Sequence, residues 1–253
     1  PTRRSSDLLA EGGTVIIDDK SSNDIYFGDP LPENVAKIHV ARDAVFSSGS
    51  GNTAMLGGVT VDVDDGKTLT IKRQWNDITL GAVAINGANA VKLDNADGTI
   101  TVGGALSGTA PVDVETGKIV HVASAGSIAN TITGDGTIVF ATLPASQLSF
   151  GAWTGTVELP VFSASGTQLA FYGVSGSKIK LNGITAGYLM WTDQNIQAEI
   201  VLAGNYNITK TSQRNYNFAR ISGSGDFRVA TGTGDVADPA SIEIGRASCR
   251  ERV

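Results

Sequence analysis

Apolar and polar residues alternate in short runs along most of this chain. Residues 59–63 read Val, Thr, Val, Asp, Val, so the three valines fall on one side of an extended strand. The same alternation recurs, with Gly, Asn or Asp between the runs, at residues 69–71, 91–93, 100–102 and 112–114. Short strands that follow one another so closely favour the coils of a parallel β-helix over the longer strands of a β-sandwich.

Residues 132–140, with the sequence ITGDGTIVF, show the repeated unit most clearly. Glycines on both sides of Asp135 let the turn take positive φ without steric cost, and the strand that follows directs Ile138 and Phe140 to one face. Related units lie at Gly13, Gly66, Gly98, Lys178 and Gly225. The gaps of 32 to 53 residues are irregular, which a solenoid tolerates because insertions enter its loops. We therefore predict an all-β, elongated parallel β-helix (β-solenoid) with irregular coils and a buried Ile138.

The pattern divides the chain into two regions without a linker between them. Residues 58–243 carry the solenoid repeats, and residues 9–57 form an N-terminal β region or cap in which the repeated unit is found only at Gly13. A helix competes with strand only at residues 35–46. Because residues 37–40 alternate, we predict strand there as well.

Both ends of the chain match a translated nucleotide sequence that has nothing to do with folding. Residues 1–8 correspond to the end of a widely used short-read sequencing adapter, and residues 244–253 correspond to its reverse complement. We interpret both as scars that pack poorly, and the rest as an internal fragment of a longer protein. The single cysteine, Cys249, lies in one of them. Excluding both removes five arginines and two carboxylates, which takes the formal net charge from −6 to −9.

Composition narrows the classes of function. Glycine accounts for 31 of the 253 residues, and charged residues for 17%, below the usual value of about 25%. An acidic chain is not expected to bind nucleic acid. The chain contains no run of about 18 apolar residues, so no transmembrane helix is expected. Without a cysteine outside the adapter segment, the chain offers neither a disulfide framework nor a thiol nucleophile. We also expect no cofactor.

A turn of the form ISGSG, at residues 221–225, belongs to a longer pattern. It follows a short apolar strand and a strand with aromatic residues, and another strand comes after it, at residues 200–202, 216–218 and 227–229. This arrangement resembles the repeat of large autotransporter passengers and related bacterial surface proteins. Residues 132–139 resemble the turn and final strand of the same repeat. The resemblance implies a right-handed β-helix of the adhesin type, displayed on or released from a bacterial cell surface.

Three carboxylates before a glycine turn, Asp62, Asp64 and Asp65, are the candidates for a metal site, because Ca²⁺ prefers several oxygen ligands from one loop. The EF-hand spacing is broken and lacks its closing Glu, so a solvated turn is the alternative. His39 and His121 are isolated in alternating strands and predict no metal centre. The chain has neither a nucleophile elbow nor a phosphate-binding loop.

Three aromatic residues in the second half of the chain, Trp153, Tyr188 and Trp191, are the candidates for ligand binding. An exposed aromatic face suits the apolar face of a sugar ring, so the three side chains would form a stacking platform. The alternative is that they fill a wide part of the solenoid core.

The leading functional hypothesis is a non-catalytic stalk or adhesin passenger, extracellular or on the outer cell surface, whose partners are surface glycans or neighbouring cells. Exposed strand edges at the two cut ends also predict end-to-end self-association. One rival is a β-helical polysaccharide lyase or hydrolase, for which Asp62, Asp64, Lys72 and Arg73 are the only nearby candidates. The other rival is a carbohydrate-binding module that uses Trp153 and Trp191.

Overall fold

The computed structural model describes residues 13–18, 24–27, 35–48, 54–74, 76–95, 98–145, 147–169, 174–191, 195–204, 206–210, 216–224, 227–231 and 242–244. Parallel strands wind through this part of the chain as a β-solenoid of about seven turns, and none of it is helical. The prediction of an all-β parallel solenoid is confirmed. No helix in the described ranges is long and apolar enough to cross a membrane.

Strands β1 to β17 build the first part of the solenoid. They are β1 (Gly13–Ile17), β2 (Asp24–Phe27), β3 (Val35–Val40), β4 (Ala44–Ser48), β5 (Ala54–Met55), β6 (Val59–Val63), β7 (Leu69–Lys72), β8 (Ile78–Leu80), β9 (Val83–Asn86), β10 (Val91–Asp94), β11 (Ile100–Val102), β12 (Ala105–Ser107), β13 (Val112–Val114), β14 (Ile119–Val122), β15 (Ser127–Ile128), β16 (Thr131–Gly134) and β17 (Thr137–Phe140).

Strands β18 to β27 continue it. They are β18 (Ser149–Trp153), β19 (Thr156–Leu159), β20 (Phe162–Leu169), β21 (Lys178–Leu181), β22 (Ile184–Trp191), β23 (Asn195–Leu202), β24 (Tyr206–Lys210), β25 (Tyr216–Gly223), β26 (Phe227–Thr231) and β27 (Ile242–Ile244).

Three parallel sheets form the sides of the solenoid. Sheet A has the order β1-β3-β6-β9-β12-β15, and sheet B runs β2-β4-β7-β10-β13-β16-β18. Sheet C stacks ten strands, β5-β8-β11-β14-β17-β19-β21-β23-β25-β27. In a complete coil the chain passes once through A, B and C before it returns to A one rung higher. Right-handed winding, which the family resemblance implies, stays a prediction, and parallel crossover connections generally favour that hand.

One coil is shorter than the spacing of the sequence motifs. Hydrogen bonds between side chains of neighbouring rungs join residues 18 to 25 positions apart. Gly98 precedes β11 and Gly136 precedes β17, and β14 lies between these strands in sheet C, so this motif gap spans two coils. Gly66 precedes a strand of sheet B instead. The gaps of 32 to 53 residues are therefore not the length of one coil. The motif is absent from some coils, and its copies do not all precede strands of the same sheet.

An apolar column inside sheet C shows how the alternation builds the core. Ile138 is 1% exposed, and its strand partners are Val120 below and Val157 above. The register continues the column through Ile78, Ile100, Val120, Ile138, Val157, Ile179, Ile200 and Ile221. Each fully buried member contributes about 1.5–3 kcal/mol of hydrophobic stabilisation. The predicted inward orientation of Ile138 is confirmed.

The two glycines of the turn at Asp135 serve different purposes. Gly134 has φ of +99°, which an L side chain rarely adopts. Gly136 is required for close packing instead, because a Cβ there would lie 2.6 Å from the backbone oxygen of Glu115 and 2.7 Å from that of Lys118. Positive φ, the reason expected from the sequence, thus applies to the first glycine only.

The strands before residue 58 belong to the same stack as those after it. β3 and β4 cover the region where strand was predicted over helix, which confirms that prediction. β3 pairs with β1 on one side and with β6 on the other, so sheet A crosses the predicted boundary at residue 58 without a break in pairing.

The cross-section of the solenoid changes after β17. Sheet A ends at β15, and residues 141–145 and 147–148 follow β17 in its place along the chain, where Leu148 is buried and Leu143 is partly buried. Sheet B ends at β18. From there the strands of sheet C alternate along the chain with those of two small sheets, β20-β22 and β24-β26.

The predicted adapter scars fall almost wholly outside the described residues. Residues 1–8 and 245–253 are not described, and Ile244 is the last residue of β27, which pairs with β25.

Candidate functional site

A ladder of polar side chains crosses the outer face of sheet A and includes the first candidate carboxylate. The Nζ atom of Lys37 lies 2.5 Å from Oδ2 of Asp62, and Nδ2 of Asn86 donates a hydrogen bond of 2.9 Å to Oδ1. The backbone N–H of Thr109 in turn donates to Oδ1 of Asn86 at 3.3 Å. The hydrogen bonds from Lys37 and then from Asn86 hold the pKa of the Asp62 carboxyl below its ordinary value. Asp62 therefore ties neighbouring rungs together.

The other two candidate carboxylates lie at the end of β6 and in the turn after it. Oδ1 of Asp64 is 3.2 Å from Nε2 of His39 on the neighbouring strand, and Asp65 is exposed beside Gly66, whose φ is +75°. Among the residues that the structure describes, no group of three or more His, Cys, Asp or Glu could hold a metal ion. Asp62 and Asp64 each have a partner on β3, so the geometry fits the solvated turn that was the alternative to a calcium loop.

The four candidates for a lyase site do not share a face. Asp62 lies in sheet A, whereas Lys72 ends a strand of sheet B. Arg73 follows Lys72, and its side chain lies so close to Gly98 that a Cβ there would clash with it. Its Nε is 3.7 Å from Oδ1 of Asp77. The structure therefore brings no convergent group of carboxylates and cations together from these residues.

Trp153 does not belong to an exposed platform. Its side chain is only 2% exposed, at the inner face of β18, so the idea that its ring stacks on a sugar was wrong. Tyr188 and Trp191 lie on β22, which pairs with β20 in a different sheet, opposite Ser165 and Leu169. The side chains of Tyr188 and Trp191 lie outside the description.

The Trp153 indole packs against one aromatic ring and lies close to a glycine. Its ring stacks on Phe150 with 6.1 Å between ring centroids and 26° between planes. Gly134 is its strand partner below. A Cβ on Gly155 would lie 2.5 Å from Cζ2 and Cη2 of the indole. The indole N–H is buried and finds no hydrogen-bond acceptor among the described residues, and a buried donor without an acceptor generally costs about 1–3 kcal/mol.

A β-bulge precedes Trp153 and borders a groove. Phe150 pairs with Ile132 and Trp153 pairs with Gly134, so Gly151 and Ala152 together face the single residue Thr133. The adjoining groove has a volume of about 550 Å³ and is lined by Gly134, Asp135, Gly151, Ala152, Trp153, Thr154, Val174 and Ser175. We call it the bulge groove. The sequence offered no signal for it, because a bulge follows from the register between strands.

The outer face of sheet C carries cross-strand ion pairs. Glu158 accepts hydrogen bonds of 2.9 Å from Nδ2 of Asn182 and lies 3.0 Å from Nζ of Lys180. Burial raises the pKa of Glu158, but the hydrogen bonds from Asn182 and Lys180 outweigh it, and the net pKa lies below the ordinary value. Farther along, Nε of Arg220 lies 3.6 Å from Oε1 of Glu199. These ladders were missed in the sequence because the coil length was not known.

The two histidines lie at outward positions of their strands. His39 is half-buried beside Asp64 on sheet A. His121 is half-buried on sheet C, where its strand partners are Thr101 and Val139.

Fold and site together define a repeat protein of the β-solenoid class, in which polar ladders join neighbouring rungs and a groove lies beside Trp153. Comparison of the chain with family models, with curated proteins and with solved structures found no match.

Proposed function

We propose that the chain is part of an extracellular bacterial surface or secreted repeat protein and serves as a non-catalytic stalk or adhesin passenger. The observation that carries the proposal is the uninterrupted stack of ten parallel strands in sheet C. At about 4.8 Å per rung, nine spacings extend for about 43 Å along one axis. Such a stack provides length and stiffness, because each rung is held by its neighbours on both sides.

The chemistry of the outer surface supports the same proposal. Several charged side chains on neighbouring rungs are paired with each other, as in Lys37–Asp62, Lys92–Glu115 and Lys118–Asp94, each with a shortest N–O distance of 2.5 Å. Ion pairs of this kind hold rungs together and leave their carboxylates engaged. A catalytic centre of the lyase type would instead need carboxylates and cations that converge on a substrate.

The proposal is tested by incubating the protein with a panel of bacterial and plant polysaccharides at neutral pH, with and without Ca²⁺. We expect no cleavage product in either condition, and the same melting temperature before and after treatment with EDTA. Calcium-dependent release of unsaturated sugars would contradict the stalk and favour a lyase. In that case Asp62→Asn should abolish release, whereas Asp113→Asn on sheet B is the matched control.

Surface location has its own test. An antibody raised against the chain should label intact cells of the source organism, and added protease should remove the label. Labelling that requires permeabilised cells would contradict an extracellular location.

A further inference from the structure

We propose that the bulge groove is a binding site for a neutral polyhydroxylated ligand, such as a mono- or disaccharide. The inference goes beyond the stalk, because a spacer needs no ligand. It differs from the stacking platform expected from the sequence, because the ring of Trp153 is buried and offers no exposed face.

The groove is open to solvent, and its volume falls within the range of small-molecule sites. Pockets that bind small molecules have volumes of about 300–1,000 Å³, and the bulge groove measures about 550 Å³. It lies where sheet B ends and the cross-section of the solenoid changes. The bulge at Gly151 and Ala152 interrupts the regular pairing there, and bulges are enriched next to functional sites.

The lining supplies both hydrogen-bond donors and acceptors. The hydroxyl groups of Thr154 and Ser175 can donate and accept, and both residues are exposed. Asp135 provides an acceptor, although its Oδ2 already accepts a hydrogen bond of 2.5 Å from Thr116. Val174 and Ala152 contribute apolar surface. A mixture of carboxylate, hydroxyl and apolar groups matches the alternating hydroxyl and C–H surface of a sugar.

The second observation is the unpartnered indole N–H. Trp153 lines the groove, and its Nε1 is buried without an acceptor among the described residues. A tryptophan N–H can only donate, and Nε1 has almost no accessible surface, so a ligand oxygen reaches it only when the side chains around it move apart. A sugar hydroxyl that donates to Asp135 needs no such movement.

The charge of the lining favours a neutral ligand. Asp135 is the only charged residue among those that line the groove, and no Lys or Arg is present to neutralise a phosphate, sulfate or uronate group. A cation would be attracted to Asp135. It would gain nothing from the indole N–H, because an N–H donor has no lone pair to offer to a positive charge.

The test follows the indole signal of Trp153 by NMR in protein labelled with ¹⁵N-tryptophan. The chain has three tryptophans, and Trp153→Phe assigns the signal by its loss. The probes are glucose, galactose, N-acetylglucosamine and their 1,4-linked disaccharides, each added to about 20 mM, a range that detects millimolar Kd. We expect at least one neutral sugar to shift the Trp153 signal saturably.

Three variants make the test specific. Asp135→Asn should raise the Kd about tenfold or more, because it weakens a charge-assisted hydrogen bond. Asp64→Asn removes the same charge on sheet A and should leave the Kd unchanged. Ala152→Phe, at an exposed position of the bulge, should block the groove and abolish the shift while the melting temperature stays the same.

Several outcomes would overturn the inference without touching the stalk proposal. They are the absence of any saturable shift, equal losses in Asp135→Asn and Asp64→Asn, binding that survives in Ala152→Phe, or tighter binding of glucuronate or spermidine than of every neutral sugar. Cleavage of a sugar polymer would contradict the stalk instead, so the two failures are distinguishable.

Discussion

Gly155 is the residue on which the placement of Trp153 depends. The absence of a side chain lets the indole approach to van der Waals distance, and the position also faces the backbone of Gly136. The buried tryptophan fits into the core because a glycine, and not a larger residue, stands beside its ring.

Gly155→Ala is therefore expected to destabilise the fold by about 1–3 kcal/mol, because the added methyl group overpacks a filled site. Chemical denaturation followed by circular dichroism measures the change. Gly57→Ala is the matched control, since a Cβ at Gly57 meets only the Cα of Gly81, at 3.9 Å. Equal stability of both variants would contradict this account of the indole packing.

Ile138 gives the second prediction at this scale. Ile138→Asp places a carboxylate between Val120 and Val157 in the core, which should cost several kcal/mol, about 3–5, in the free energy of unfolding. Thr137→Asp, one position away on the outward side of the same strand, should cost less than about 1 kcal/mol. If the two variants unfold at the same denaturant concentration, the register of β17 is wrong by one residue.

At the scale of the element, the strands are held in register by side chains that bridge rungs. On sheet A the bridge is Lys37, Asp62 and Asn86, and on sheet C it is Lys180, Glu158 and Asn182. In each case a carboxylate accepts from a lysine and an asparagine. These bridges contribute only modestly to stability, because their charged groups remain partly exposed.

Asp62→Asn tests the bridge through pH. The pKa of Asp62 is lowered in the folded protein, so its ion pair stabilises the fold above the ordinary value of 3.8, and this stability is lost as the pH falls through the folded pKa. The wild type should therefore exceed Asp62→Asn by about 1 kcal/mol or less at pH 7. The difference should shrink below about pH 4.

Urea unfolding of both proteins between neutral and acidic pH measures that difference. Asp65→Asn, at an exposed turn position, serves as the control and should follow the wild type across the range. A constant gap between wild type and Asp62→Asn at every pH would show that the amide, and not the lost charge, causes the destabilisation.

At the scale of the whole molecule, the solenoid should tolerate the loss of one complete coil. Val83 pairs with Val59 below and Leu106 above, so deletion of residues 83–105 places Leu106 directly over Val59. Because each rung contacts mainly its neighbours, the shortened chain should fold cooperatively and lose about 4.8 Å of length. Circular dichroism and small-angle X-ray scattering measure both effects.

A partial deletion is the control for the coil. Removing residues 83–94 takes out β9 and β10 but leaves β11. Sheets A and B then each lack one strand, whereas sheet C keeps all of its strands. This variant should lose cooperative unfolding. If it folds as well as the coil deletion, stability does not depend on complete rungs.

Much of the fold could be predicted from the sequence, because it depends on local alternation. The strands at residues 59–63 and 112–114 follow from side chains that point to opposite faces of an extended backbone, a property of neighbouring residues alone. The frequent glycines and the short strands then indicated coils rather than a sandwich.

The coil length and the site could not be predicted in this way. Turns of similar sequence precede different sheets, so the motif spacing did not reveal which rungs stack. The burial of Trp153 depended on Gly155, whose missing side chain leaves room for the indole, and the bulge groove depended on two residues of β18 that face one residue of β16. The sequence by itself determined that the chain forms short alternating strands, since that choice rests on each residue and its neighbours. Only the tertiary structure decided which side chains meet. Contacts between rungs depend on the register of neighbouring coils, and every insertion within a coil changes which residues stack on each other.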